Sequence, residues 1–272
     1  MEEWLSLPQL LCEDQIILTF DYRGTGHSLK HIRAKPSVLF NTVPAMTVFV
    51  NDVIKLCRFV APQSRWNMLG HGFGEMIAQR IAIDAPFLLE KLVLCGEYQL
   101  SSVADPLLTV PSVFSEPHLK FGASVLAFLA LARDALTTPL KDWESFVASM
   151  TSTTADIESL TYTPEWIKAN PERFEQMNQL AMEGRLAFQF LAQCEFSTRN
   201  QTSLISNPTL ILRGLMDRMF DAERHAFQMA SLLPDARLIS LPKCGFNFHV
   251  MAPHLSASYI LAFLRMTVQS KL

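Results

Sequence analysis

The sequence predicts an α/β fold: a mostly parallel sheet covered by helices on both faces. Three observations predict it. Short β-rich runs alternate with stretches of helical spacing towards both ends of the chain. A glycine turn, Gly70 to Gly74, leads directly from one such run into a helix. Between about Tyr98 and Ser203 the chain is rich in Leu, Ala, Met and Phe at helical spacing, with no strand pattern.

Each element follows from local chemistry. Gln15 to Phe20 is a short β-rich run ending at the turn Asp21 to Ser28, and it predicts a strand. Pro44 to Val60 places Val50, Val53, Ile54 and Cys57 on one helical face. Trp66 to Leu69 is a second short strand, and the helix after the glycine turn runs through Asp84. Leu92 to Cys95, Thr209 to Leu212 and Arg237 to Leu241 are further buried strands. The helices between and after them span about Ala222 to Leu233 and His254 to Thr267. Within the strand-free stretch, Thr163-Pro164-Glu165-Trp166 reads as a cap residue, a proline at the first helical position, and a helix. Residues 1–97 and 204–269 therefore form the α/β core, 98–203 a helical cap over one end of the sheet, and 270–272 a short tail.

Composition excludes several classes. The chain has 272 residues, 49% of them hydrophobic and 18% charged, which is unlike a disordered segment. The net charge of -3 offers no bulk attraction to nucleic acid or anionic lipid. Five cysteines (Cys12, Cys57, Cys95, Cys194, Cys244) show no CxxC and no metal-ligand spacing, so free thiols, no metal and no cofactor are expected. The longest apolar stretch, Phe121 to Ala132, is shorter than the ~20 residues that span a bilayer. Met1 to Ser6 lacks the basic region of a secretory signal. The final residues Ser270, Lys271 and Leu272 match the terminal tripeptide read by the peroxisomal import receptor. That receptor is the expected protein partner, and the peroxisome the expected location.

Four motifs stand in one order. Asp21-Tyr22-Arg23-Gly24-Thr25-Gly26-His27-Ser28 is similar to a DxRGxGxS turn. Gly70-His71-Gly72-Phe73-Gly74 occupies the place of a GxSxG nucleophile elbow. Pro208 to Asp217 resembles an acid-bearing strand and its turn, and Cys244 to Pro253 a histidine loop. Together they resemble the α/β-hydrolase superfamily over nearly the whole chain. With the Ser-Lys-Leu terminus, the set looks like the peroxisomal abhydrolase-domain proteins of fungal clusters that make host-selective toxins with an epoxy-decatrienoic acid core. The resemblance implies hydrolase activity on a small apolar ester or acyl-CoA thioester in secondary metabolism. Phe121, Phe128, Phe188, Phe190 and Leu191 in the cap fit such a ligand and fit ordinary helix packing equally. The family's strands upstream of Gln15 are not matched here. The runs at Gln15 and Trp66 must then pair directly or leave a slot in the sheet.

The residues depart from the family at its chemistry. Acyl transfer on this fold needs a hydroxyl at the elbow, a histidine to take its proton and an acid to orient that histidine. Gly72 stands at the nucleophile position and Phe246 at the histidine position. Asp217 keeps the acid position, and His249 lies three residues past Phe246 on the same predicted loop. Asp217 and His249 are therefore the candidate acid-base pair, with Gly70, His71, Gly72, Phe73, Gly74 and Phe246 lining the pocket. Glu97 is a second candidate acid, and Cys244 has no histidine placed to activate it. Three functions remain open: water-based hydrolysis by Asp217 and His249, cofactor-free lyase or cyclase chemistry, and a pseudoenzyme that binds an apolar acyl ligand.

Overall fold

The computed structural model describes residues 4–13, 15–23, 25–30, 46–96, 159–183, 189, 192, 196–198, 200–218 and 222–267. Its sheet is built from β1 (Trp66–His71), β2 (Leu89–Cys95), β3 (Thr209–Gly214) and β4 (Ala236–Leu241). All neighbours are parallel, in the order β1-β2-β3-β4. The helices are α1 (Leu7–Leu11), α2 (Gly26–Lys30), α3 (Met46–Val60), α4 (Phe73–Asp84), α5 (Pro164–Ala169), α6 (Pro171–Glu183), α7 (Ala222–Leu232), α8 (Phe248–Met251) and α9 (Pro253–Leu264). No helix among the described residues is long and apolar enough to cross a membrane.

Alternation along the central strands sorts side chains into two layers. Leu92, Leu94 and Ile211 join Phe49, Val50 and Val53 of α3, Met76, Ile77 and Ile81 of α4, and Met229 of α7. Val93, Cys95, Leu210 and Leu212 face the other way, onto Leu7 and Leu11 of α1 and Ile260 and Phe263 of α9. Burying each such side chain stabilises the fold by about 1.5–3 kcal/mol. The central strands β2 and β3, apolar on both faces, are thus the main adhesive between the layers.

Where helices start and stop follows the capping chemistry. Thr163 caps α5, its hydroxyl accepting from the Trp166 amide at 3.3 Å, with Pro164 at the first helical position. The helix after β4 ends at Leu264, three residues before the expected Thr267, because Lys91 terminates it. The Lys91 ammonium, on a residue only 3% exposed, donates to the carbonyls of Phe263 (3.3 Å), Leu264 (2.5 Å) and Met266 (2.5 Å).

Two expectations are corrected. Gln15 to Phe20 is not a strand. Ile17 packs on the α1/α9 layer while Phe20 and Tyr22 pack on the α3/α4 layer, so the segment lies in the plane of the sheet. It forms no ladder with β1 or any other described strand. The predicted histidine loop contains a helical turn, α8, which carries His249. Of the cysteines, Cys12, Cys57, Cys95 and Cys244 are free, and Cys12 is exposed.

Candidate active site

Parallel strands in register bring their carboxyl ends to one edge of the sheet, where open α/β sheets bind ligands. His71 pairs with Cys95, Cys95 with Leu212, and Leu212 with Ile239. The turns after β1, β2, β3 and β4 therefore converge there.

The turn after β1 is sharp. Gly72 has φ +54° and ψ -119°, a conformation that side-chain-bearing residues rarely adopt. Its amide donates to the Cys95 carbonyl at 3.2 Å, and its carbonyl accepts from the Glu75 amide at 3.0 Å, starting α4. The elbow geometry is thus present without a nucleophile on it. The first amides of α4 have no partners within the helix. Behind the turn, the buried Glu75 carboxylate accepts from Gln79 Nε2 at 3.1 Å, and Gln79 Oε1 accepts from the Thr198 hydroxyl at 2.6 Å. Burial, with the Glu75 charge added, pushes the Cys95 thiol well above the usual range. Burial pushes Cys244 up as well. Neither is a thiolate nucleophile at neutral pH.

His71 closes β1 and meets the histidine loop. Its Nε2 lies 3.2 Å from the Phe246 carbonyl, and since a carbonyl only accepts, that nitrogen carries the proton. Burial lowers the His71 pKa to about 4, against a smaller opposing effect of the Phe246 carbonyl. The His71 ring centroid is 4.4 Å from that of His249 and 4.5 Å from that of Phe246. His249 is 5% exposed and also lies 5.2 Å, ring to ring, from Trp4. Phe246 fits because Gly96, at φ +92°, has no Cβ; one there would stand 2.6 Å from the Phe246 ring. A phenyl group at the resemblance's histidine position is therefore a packed wall of the site.

Asp217 sits half-buried on the turn after β3, its amide donating to the Gly214 carbonyl at 3.3 Å. The neighbouring Met216 amide donates to the Cys244 carbonyl at 2.8 Å, which ties the acid turn to the histidine loop. Gly214 and Gly245 approach so closely that a Cβ on Gly214 would overlap the Gly245 carbonyl.

The structure thus gathers Gly70, His71, Gly72, Phe73, Gly74, Phe246 and His249 at one edge, with Asp217 on the adjoining turn. Glu97, the expected cap residues Phe121, Phe128, Phe188, Phe190 and Leu191, and Ser270, Lys271 and Leu272 lie outside the described residues. Trp4 was missed: its place against both histidines leaves no periodicity to read. Asn247 and Arg218 were missed too, because their partners are far away in the chain. Among the described residues no three His, Cys, Asp or Glu side chains are grouped to hold a metal ion.

Comparison with known proteins agrees with this architecture. The family model for the alpha/beta hydrolase fold matches residues 1–253. A putative carbamate hydrolase RutD of Pseudomonas savastanoi pv. phaseolicola is 23% identical over 266 residues, covering 96% of this chain and 88% of that protein. The enol-lactonase from Burkholderia xenovorans LB400 superposes with a TM-score of 0.73 at 16% identity, covering 97% of this chain and 86% of that one. A thermophilic esterase from Thermogutta terrifontis does so with a TM-score of 0.73 at 19% identity, covering 97% and 85%. The elbow turn, the parallel sheet and the match over most of the length lead to one conclusion: the chain belongs to the alpha/beta hydrolase fold family.

Proposed function

We propose that the protein hydrolyses a small apolar ester or acyl thioester by activating water in place of a serine. One observation carries this reading: the buried His249 imidazole meets the His71 ring edge-on, 4.4 Å between centroids, and His71 leads into the Gly72 elbow. Carbamate hydrolase, enol-lactonase and esterase, the activities named for relatives, all begin with attack on an acyl carbon. In the proposed step His249 takes a proton from water, and the water oxygen bonds to the acyl carbon. The carbon–oxygen or carbon–sulfur bond then breaks, and the leaving alcohol or thiol receives that proton. Asp217 orients His249, and the first amides of α4 face the developing oxyanion. His71 stays neutral at pH 7, so His249 accepts a proton without a like charge beside it.

The test is hydrolysis of p-nitrophenyl hexanoate and hexanoyl-CoA by the purified chain and by His249→Ala. The expected result is parent turnover that falls by about 100-fold or more in a His249→Ala variant with unchanged circular dichroism. No turnover by a folded parent overturns the hydrolytic reading. Gly72 and Phe246, at the nucleophile and histidine positions, favour the second reading in that case: cofactor-free lyase or cyclase chemistry, or binding of an apolar acyl ligand without turnover. For the cellular role we propose peroxisomal import and work on a medium-chain acyl intermediate in toxin biosynthesis. Ser270-Lys271-Leu272 at the carboxyl terminus and the motif resemblance support it. A fluorescent fusion bearing or lacking that tripeptide tests the location.

A further inference from the structure

Residues 159–163 reach both turns of the candidate site. Arg218, next to Asp217, donates from Nη2 to the carbonyls of Ser159 and Tyr162, each at 2.6 Å. Asn247, two residues before His249, donates from its amide to the Thr161 carbonyl at 2.9 Å and from Nδ2 to the Thr161 hydroxyl at 2.8 Å. Thr161, Tyr162 and Thr163 are 4%, 0% and 5% exposed, and the Asn247–Thr161 side-chain bond is buried. The segment leads directly into α5, whose cap is Thr163, and Tyr162 stacks on Trp166 there at 4.6 Å between centroids.

The bonding of Asn247 is unusual for its position. It stands at the N-cap of α8, where asparagine ordinarily turns its side chain onto its own helix. Here it makes no such bond and spends the side chain on Thr161. Arg218 likewise serves two backbone carbonyls. Both residues bond the same short segment. Gly245 seals the join: a Cβ on it would lie 2.7 Å from the Thr161 carbonyl.

We propose that residues 159–163 form a strap that sets the position of Asp217 relative to His249, with Arg218 and Asn247 as positioning residues. Resting on the reading of Asp217 and His249 as the working pair, this adds that the short segment just before α5 controls their geometry. A ligand that shifts the strap shifts both groups together.

The experiment compares Thr161→Val, Thr161→Ser, Asn247→Ala and the parent by two readouts. The first is the titration of the His249 Cε1 proton by NMR, which requires no turnover. The second is the split between kcat and KM on p-nitrophenyl hexanoate. Thr161→Val and Asn247→Ala are expected to change the His249 shift and midpoint and to lower kcat by about 10- to 100-fold with little change in KM. Thr161→Ser keeps the accepting hydroxyl and is expected to match the parent in both. An unchanged His249 titration in folded Thr161→Val and Asn247→Ala overturns the strap. If the parent lacks turnover, the hydrolytic reading fails while the NMR comparison still decides the strap. Should Thr161→Val not fold, Asn247→Ala carries the test.

Discussion

In the proposed mechanism, a neutral His71 lets the His249 imidazole beside it take a proton. Its ring is enclosed by Trp4, Phe246, Phe248 and His249, and burial holds its pKa near 4 instead of 6.5. The sign of the linkage follows. The folded midpoint lies below the unfolded one, so the contribution is full above about pH 6.5 and is lost as pH falls towards 4. The loss is on the order of 2–3 kcal/mol. Urea unfolding between pH 7.5 and 4 is expected to show it, and His71→Gln to remove most of it. An NMR midpoint for His71 near 6.5 would contradict the enclosure. At this scale the sequence was informative where a residue type is itself the signal. Glycine at 72 and phenylalanine at 246 announce a missing nucleophile and a missing histidine. It was silent where function is made through space: nothing in the order of residues places Trp4 against His249 or Thr161 against Asn247.

Elements were readable to the extent that their pattern depends on neighbours in the chain. The strands and helices around the glycine elbow were found because apolar period and turn chemistry agree there. Lys91 shows the opposite case. It is a charged residue within Leu-Glu-Lys-Leu-Val-Leu-Cys, yet it is buried and donates to three carbonyls at the C-terminal end of α9. The Phe263 and Leu264 carbonyls close the last turn of α9 and the Met266 carbonyl lies just beyond it; such carbonyls lack N–H donors within the helix and carry partial negative charge. A hydrogen bond to a charged group contributes about 1.5–3 kcal/mol, and its removal strands the acceptors. Lys91→Met is therefore expected to cost about 2–3 kcal/mol and to lower Tm by roughly 4–12 °C. The elbow lies at the other end of the strands, so any turnover at the proposed site is expected to be unchanged. A Tm shift below about 2 °C, the smallest expected for about 1 kcal/mol in a chain of this size, would show that solvent satisfies those carbonyls equally well.

At the scale of the whole molecule the order of four motifs was enough to predict the fold, and it also posed the problem of how the sheet ends. The two runs at Gln15 and Trp66 had to pair or leave a slot, and the structure leaves them unpaired. Residues 16–20 make no backbone hydrogen bonds among the described residues, although their side chains reach both layers of the core. An unmet buried amide or carbonyl costs about 1–3 kcal/mol, so five dry residues would consume much of a typical stability of ~5–15 kcal/mol. Residues 17–20 are half-buried and Ile16 is 97% exposed, so this backbone is within reach of water. The edge of the sheet at β1 is then expected to be its softest part. Native-state hydrogen exchange tests this directly. Amides 16–20 are expected to exchange at rates close to those of an unprotected chain, while the amides of β2 and β3 exchange only at the cost of global unfolding. Protection of 16–20 comparable to that of β2 would mean that the segment is paired in solution. The sheet would then have closed across the slot, in an arrangement different from the one described here.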